Sequence, residues 1–409
     1  MARANVTVVI DDQSYVIPGS ESGSLTRAGF PSQFGLISVV GNTGDRARGW
    51  MQIGSLGEWI ERLTSVEPIM SGQTADGGTH VGHQNDGRSG GTGARWPYGP
   101  TGAWKQEWWA CHNYLQYGGV LVVGGTGSDF NTSSQYDTLK DKQIPLDIVF
   151  SATGDQSSVS TIATARGDCI AVIPDSTYGL DADTAAFSGT QGEFSVSVFG
   201  MKKHLNVRRN MNENDQVGLG SFIQTNCSAD VAGCIARTDK LADPWYSPAG
   251  FKRGRILDVV SLVDNPNDGQ MDILYDKNIN PVVTFPGEGT VLFGDKTGAA
   301  GTSTLSRINV SRLFIYLKKR VGAAARSILF ELNDATTRAS FVNATTGLME
   351  NIRSRRGVYD YRVVCDETNN TGEVVDANQF VADIFVKPTK SINFIKITFT
   401  NKNTRDSLS

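Results

Sequence analysis

The 409-residue sequence predicts an α/β subunit of more than one domain, organised on a mixed sheet. Three observations predict it. From residue 36 to residue 173, short apolar runs of strand length alternate with stretches of helical apolar spacing, the pattern of an α/β layer. After about residue 300 the texture changes to two long helical stretches followed by strands. The length exceeds what one ordinary core accommodates, and 39% hydrophobic residues with 45 glycines describe a folded, loop-rich chain.

Residues 5–10 alternate, with Val6, Val8 and Ile10 on one face, and a polar, Gly- and Ser-rich lead follows at 18–24. A lone strand of this kind is stable only when paired with something distant in sequence or on another chain. A strand is expected at 36–40, after which Leu56, Trp59, Ile60 and Leu63 mark one face of a helix. Residues 71–102 are nearly devoid of aliphatic side chains and rich in Gly, His, Asp and Arg, which reads as a surface excursion. Trp104, Trp108, Cys111 and Leu115 return to helical spacing. Residues 120–123 then form a strand, and 146–150, 159–166 and 169–173 continue as strand, helix and strand.

Further on, 309–333 is expected to be one long helix with Val310, Leu313, Leu317, Val321, Ala324, Ile328 and Leu332 on its stripe, and 335–356 a second. Strands are expected at 358–364, 380–386 and 392–400, with Pro388 separating the last two because it cannot donate to a ladder. The final strand carries Ile392, Phe394, Ile397 and Phe399. Like the first, it is an apolar edge segment at a chain end, which invites pairing with another chain.

Several functional classes are disfavoured. Residues 1–10 lack the layout of a signal peptide and no run approaches the roughly 20 apolar residues of a membrane span, so a soluble protein made in a cytoplasm is expected, with no membrane contact. The five cysteines are scattered and form no C-x-x-C pair, which reads as buried free thiols rather than a zinc site or disulfide framework. The net charge of −4 conceals an asymmetry: residues 301–409 carry 16 Lys and Arg against 10 Asp and Glu, a net +6, leaving −10 for residues 1–300. The basic end suits an acidic partner. Direct nucleic-acid binding is not expected, since the cations are not interleaved with stacking aromatics.

The glycine turn at Gly125 and Gly127 has Phe130 where a dinucleotide fingerprint needs its third glycine, and no amphipathic helix follows. His80 and His83, near Asp76 and Asp86, sit on the glycine-rich loop without a Cys or third His to complete a metal set. His112 and His204 stand singly and read as structural. No nucleophile elbow, Walker loop or paired-carboxylate signature is present. No catalytic residue, cofactor or metal is therefore expected. The competing reading is an α/β enzyme binding a small molecule or carbohydrate, for which the glycine turn and the tryptophans would be the evidence.

Residues 232–239 (AGCIARTD) followed by 243–250 (DPWYSPAG) resemble the region of contractile bacteriophage tail sheath proteins in which a helix leads into a Pro- and Trp-containing turn. Segments 278–282 (NINPV), 285–289 (FPGEG), 293–297 (FGDKT) and 309–317 (NVSRLFIYL) arrive in the family's order, and 330–334 (FELND), 362–366 (RVVCD) and 384–388 (IFVKP) complete the likeness. Each matching residue also has an ordinary physical role, the prolines and glycines fixing turns and Trp245 and Tyr246 capping a core.

The resemblance implies a structural subunit and no enzyme. It implies polymerisation as stacked hexameric rings around an inner tail tube, and contraction that drives the tube through the host envelope during genome delivery. Baseplate and tail terminator proteins would be further partners, and the location would be the virion after assembly in the host cytoplasm. The implied organisation is an N-terminal arm at 1–24, an outer α/β domain at 25–230 bearing the 71–102 loop, a C-terminal tube-facing sheath domain at 231–390 and a C-terminal arm at 391–409. In the family both arms add strands to neighbouring C-terminal sheets, which makes Val6, Val8, Ile10, Ile392, Phe394, Ile397 and Phe399 the exchange residues. A helix of the C-terminal domain meets the tube. By position this is 335–357, whose end carries Arg353, Arg355 and Arg356, with Gly357 expected as its C-cap.

Overall fold

The computed structural model describes residues 34–38, 49–59, 102–125, 146–151, 156–205, 222–299 and 303–393. Strands β1 (Phe34–Ser38) and β2 (Gly49–Ile53) precede helix α1 (Gly102–Gln116) and β3 (Val120–Gly125). Then come β4 (Ile148–Phe150), α2 (Gln156–Arg166), β5 (Ile170–Pro174), β6 (Ser195–Phe199), β7 (Met201–Leu205) and β8 (Phe222–Asn226). They are followed by α3 (Ser228–Leu241), β9 (Ser261–Leu262), α4 (Asp268–Asp276), β10 (Ile279–Phe285) and β11 (Gly289–Leu292). The last elements are α5 (Ile308–Ser327), α6 (Ala335–Ser354), β12 (Val358–Val364), α7 (Gly372–Asp376) and β13 (Asp383–Pro388).

Eight strands form one mixed sheet in the order β11-β10-β6-β5-β4-β1-β3-β2. The pairings from β10 through β3 are parallel, and the two outermost, β11 on β10 and β2 on β3, are antiparallel. Interior parallel strands are covered on both faces, and every residue of β4, β5 and β6 is buried. That is why 148–150 and 169–173 read as continuous apolar runs rather than alternations. Helices α1 and α3 pack on each other and on this sheet. Trp109 and Tyr114 of α1 are fully buried, and the Tyr114 ring stacks on Phe150 at 4.9 Å. Each such side chain contributes roughly 1.5–3 kcal/mol by leaving water. Helix α3 approaches so closely that a Cβ on Gly233 would lie 2.3 Å from the Tyr117 ring, which accounts for glycine within the AGCIARTD segment.

A three-stranded antiparallel sheet, β8-β7-β9, stands beside the large one, and β12 and β13 form a separate two-stranded sheet over α6. Residues 230 and 231 both lie inside α3, while β10 and β11 belong to the same sheet as β1 to β6.

Helix α5 ends at Ser327, shorter than the expected 309–333. The apolar spacing runs on past its end, but Leu332 has nothing to cover it and is 78% exposed. Phe330 takes a left-handed φ of 75° and Asp334 caps α6 by accepting from the Thr337 N–H at 2.7 Å, so the chain reverses instead of continuing. The strand expected at 380–386 begins at Asp383, since Phe380 is used in an edge-to-face contact with Phe341 at 5.4 Å. Pro388 is the last residue of β13, opposite Val358, where a missing N–H is tolerated, and residues 389–393 after it are not strand. Residues 391–393 are not strand, Ile392 is 82% exposed, and Phe394, Ile397, Phe399, Val6, Val8 and Ile10 lie outside the described residues. So do 71–101 of the glycine-rich loop, with His80 and His83, whereas Gly102 opens α1.

Candidate assembly interface

The end of α6 and the hairpin behind it are built around one turn. Arg355 caps α6, Arg356 follows with φ 66°, the Arg356 N–H donates to the Arg353 carbonyl at 3.0 Å, and the Gly357 N–H donates to the Ile352 carbonyl at 2.8 Å. This is a Schellman ending. The left-handed residue is Arg356, not the expected Gly357. Glycine stands at 357 for space: a Cβ there would come within 2.4 Å of Ile352 Cγ2 and 3.1 Å of the Trp245 ring.

The 243–250 turn grips this ending. Trp245 Nε1 and the Tyr246 hydroxyl both donate to the Arg355 carbonyl, at 3.1 and 3.4 Å. The Arg355 guanidinium is ion-paired to Asp243 and lies 5.5 Å from the Trp245 ring centroid. Asn309 Nδ2 donates to the carbonyls of Trp245 and Thr389, at 3.3 and 3.1 Å, tying α5 to the 243–250 turn and to the residue that follows β13. Beneath it Trp245, Leu313, Leu317, Met349, Ile352 and Val358 form a separate apolar cluster. The three arginines therefore differ. Arg353 pairs with Glu350 at 3.4 Å on the exposed helix surface, Arg355 is committed to the 243–250 turn, and Arg356 is exposed.

Strands β12 and β13 are antiparallel, with Tyr359 the extra residue where the register shifts. Each has one hydrogen-bonded neighbour among the described residues, so both outer edges present a row of backbone donors and acceptors. Tyr359 and Phe385 are exposed large apolar residues on this hairpin. The chain beyond it is anchored before it departs. Ser391 donates to Asp295, Asn393 Nδ2 donates to Asp295 Oδ1 at 3.0 Å and to the Tyr275 hydroxyl at 2.8 Å, and Arg307 pairs with Asp295 at 3.1 Å. The sequence carried no signal for this anchor, because its members are spread over more than a hundred residues and each is unremarkable alone.

The buried charges elsewhere are structural. Lys202 pairs with Asp230 at 2.8 Å with both side chains fully buried, and the Tyr117 hydroxyl donates to Asp230 at 3.0 Å while accepting from the Leu257 N–H at 2.9 Å. Burial raises the Asp230 carboxyl and the adjacent Lys202 opposes that rise. Arg312 and Lys319 of α5 pair with Asp239 and Asp147, and Lys318 reaches the Gly167 carbonyl at 3.1 Å. His112 and His204 are buried, each 4.9 Å from the Trp109 ring. Among the described residues no group of three His, Cys, Asp or Glu is arranged to hold a metal, and no helix is long and apolar enough to cross a membrane.

This fold, a mixed sheet flanked by a helix-backed hairpin with open edges, is that of contractile sheath proteins. The sheath of an extracellular contractile injection system, PVC, in its contracted state superposes with TM-score 0.66 over 97% of this chain and 99% of that one, at 15% identity. The helical sheath of the anti-feeding prophage in its contracted state gives 0.64 over 96% and 100%, at 14% identity, and the sheath tail protein of Listeria innocua 0.54 over 89% and 94%, at 8%. At these identities the likeness is one of fold.

Similarity in sequence points the same way. Residues 301–402 match the phage tail sheath C-terminal domain. It is 52% identical to the tail sheath protein of Vibrio phage KVP40 over 177 residues, 43% of this chain and 26% of that protein. It is 39% identical to that of Enterobacteria phage T4 over 262 residues, 60% of this chain and 38% of that protein. The chain thus spans about a quarter to two fifths of the length of these relatives.

Proposed function

We propose that the chain is a structural subunit of a contractile tail sheath and not an enzyme. It polymerises as stacked hexameric rings around an inner tail tube, within a virion assembled in the host cytoplasm, and contracts to drive the tube through the host envelope. The observation that carries this is the hairpin β12–β13: among the described residues no strand pairs with its outer edges, it sits in a segment matching the sheath C-terminal domain, and a further apolar segment follows it in the sequence. Strands carrying Val6, Val8 and Ile10, and Ile392, Phe394, Ile397 and Phe399, from neighbouring copies extend this sheet by β-augmentation. Heterologous contacts of that kind generate rings or open helical polymers. The basic C-terminal third faces an acidic tube through Arg353 and Arg356, Arg355 being held by Asp243. Baseplate and terminator proteins meet the ends of the polymer.

The test is electron microscopy of the purified chain over a concentration series. Striated tubes appearing above a threshold concentration are expected. Monodisperse monomers throughout, with a small-molecule ligand bound, would favour the enzyme reading instead.

A further inference from the structure

Two exposed apolar features lie at opposite ends of α5. At its C-terminal end the reversal into α6 projects Phe330, 87% exposed, and Leu332, with the exposed acids Glu331 and Asp334 among them. Phe330 holds a left-handed backbone that a bulky side chain rarely adopts. The turn around it is tied down: the Glu331 N–H donates to the Ile328 carbonyl at 3.1 Å and Asn333 Nδ2 to the Gln379 carbonyl at 2.7 Å. The result is a fixed knob of two apolar side chains and two carboxylates.

At the other end, beside the edge strand β11, three phenylalanine rings form a surface cluster. Phe251 and Phe285 are 5.5 Å apart and Phe285 and Phe293 5.1 Å apart, with Phe251 and Phe293 nearly half exposed. Lys252 follows Phe251 in the chain and the Arg255 guanidinium lies over Gly289, the residue paired with Phe285; both cations are exposed, as is one acid, Glu288, on the same turn. Knob and cluster are complementary in both respects, apolar to aromatic and two carboxylates to a surface on which two cations outnumber the single acid.

They cannot meet within one chain. The Ile308 N–H at the start of α5 donates to the Asp295 carbonyl, two residues beyond Phe293, at 2.8 Å, and the knob follows the last turn of the same helix. Twenty helical residues span about 30 Å. We propose that the 330–334 knob of one copy seats on the Phe251, Phe285 and Phe293 cluster of a second copy, with Glu331 facing Lys252 and Arg255. The contact uses two different surfaces and so repeats from copy to copy. It rests on the reading of the chain as a self-associating subunit, and it is independent of the terminal arms.

The five native cysteines are buried, which leaves a quiet background for cross-linking. Full-length Leu332→Cys and Lys252→Cys chains are mixed under polymerising conditions and treated with a short bis-maleimide. A cross-linked dimer is expected from the mixture and from neither variant alone. In parallel, Phe330→Ala with Glu331→Lys should raise the concentration needed for self-association about tenfold, and Lys252→Glu should restore part of what Glu331→Lys alone removes. Polymers without the cross-linked dimer overturn this contact and leave the sheath reading standing. The dimer without polymers keeps the contact and removes the sheath reading, and absence of both removes both.

Discussion

Arg355 and Gly357 show how a residue's chemistry is redirected by its neighbours. A cation at a helix C-terminus is favoured by the helix dipole wherever it points, so position alone gives Arg353, Arg355 and Arg356 equal standing. Asp243 and Trp245 separate them. Arg355→Glu should set a carboxylate against Asp243 and lower the thermal midpoint clearly, whereas Arg353→Glu with Arg356→Glu, which loses only the exposed Glu350 pair and the helix-end effect, should lower it less. In the double variant, attachment to purified tubes should fall and in the wild type it should weaken with added salt. Undiminished attachment at low salt would take this helix out of the tube contact. Gly357→Ala forces a Cβ into Ile352 and the Trp245 ring, and overpacking of this kind costs about 1–3 kcal/mol, measurable by denaturant unfolding.

At the scale of elements, a two-stranded sheet is marginal unless something covers or extends it. Helix α6 covers one face of the β12–β13 hairpin, and among the described residues no strand pairs with its outer edges, which a strand from another segment or copy would extend. Removing residues 1–18 or residues 394–409 should therefore leave a folded chain that no longer forms tubes. The second deletion is placed after Asn393 so that the anchor on Asp295 and Tyr275 is kept. Normal tubes from either truncation would contradict strand exchange. The strands and helices of the sheet region were legible because their burial is dictated by local periodicity: Cys111 and Leu115, or the run at 169–173, have one side or no side facing water. The reversal after α5 was less legible. Phe330 and Leu332 continue a helical stripe in letters alone, and whether an apolar side chain has a surface to cover is a property of the tertiary fold. The Asp243 pairing and the Ser391 anchor escaped for the same reason, being contacts between distant segments with no spacing to betray them.

For the whole molecule, burial keeps the thiols protonated. Cys169 and Cys234 are pushed up to about 12, from an ordinary value of 9.0, chiefly by loss of hydration. The folded state thus holds protons that the unfolded chain releases, so the contribution of these thiols to stability is full below pH 9 and is lost as pH rises towards 12. Native protein at pH 8 should react little with thiol reagents, and all five cysteines should react once it is unfolded. Helix α5 then sets the mechanical character of the subunit. Ile308 and Ile315 belong to the core of the large sheet, Leu313 and Leu317 to the cluster beneath the hairpin, and Val321 to a third, while Arg312, Lys318 and Lys319 are fastened to the loops at Asp147 and Gly167 and to Asp239. One stiff beam is bolted into three cores, leaving no seam along which body and hairpin can slide. In the polymer proposed above, a change in the spacing of neighbouring copies would therefore have to be taken up between subunits, each moving as a solid brick.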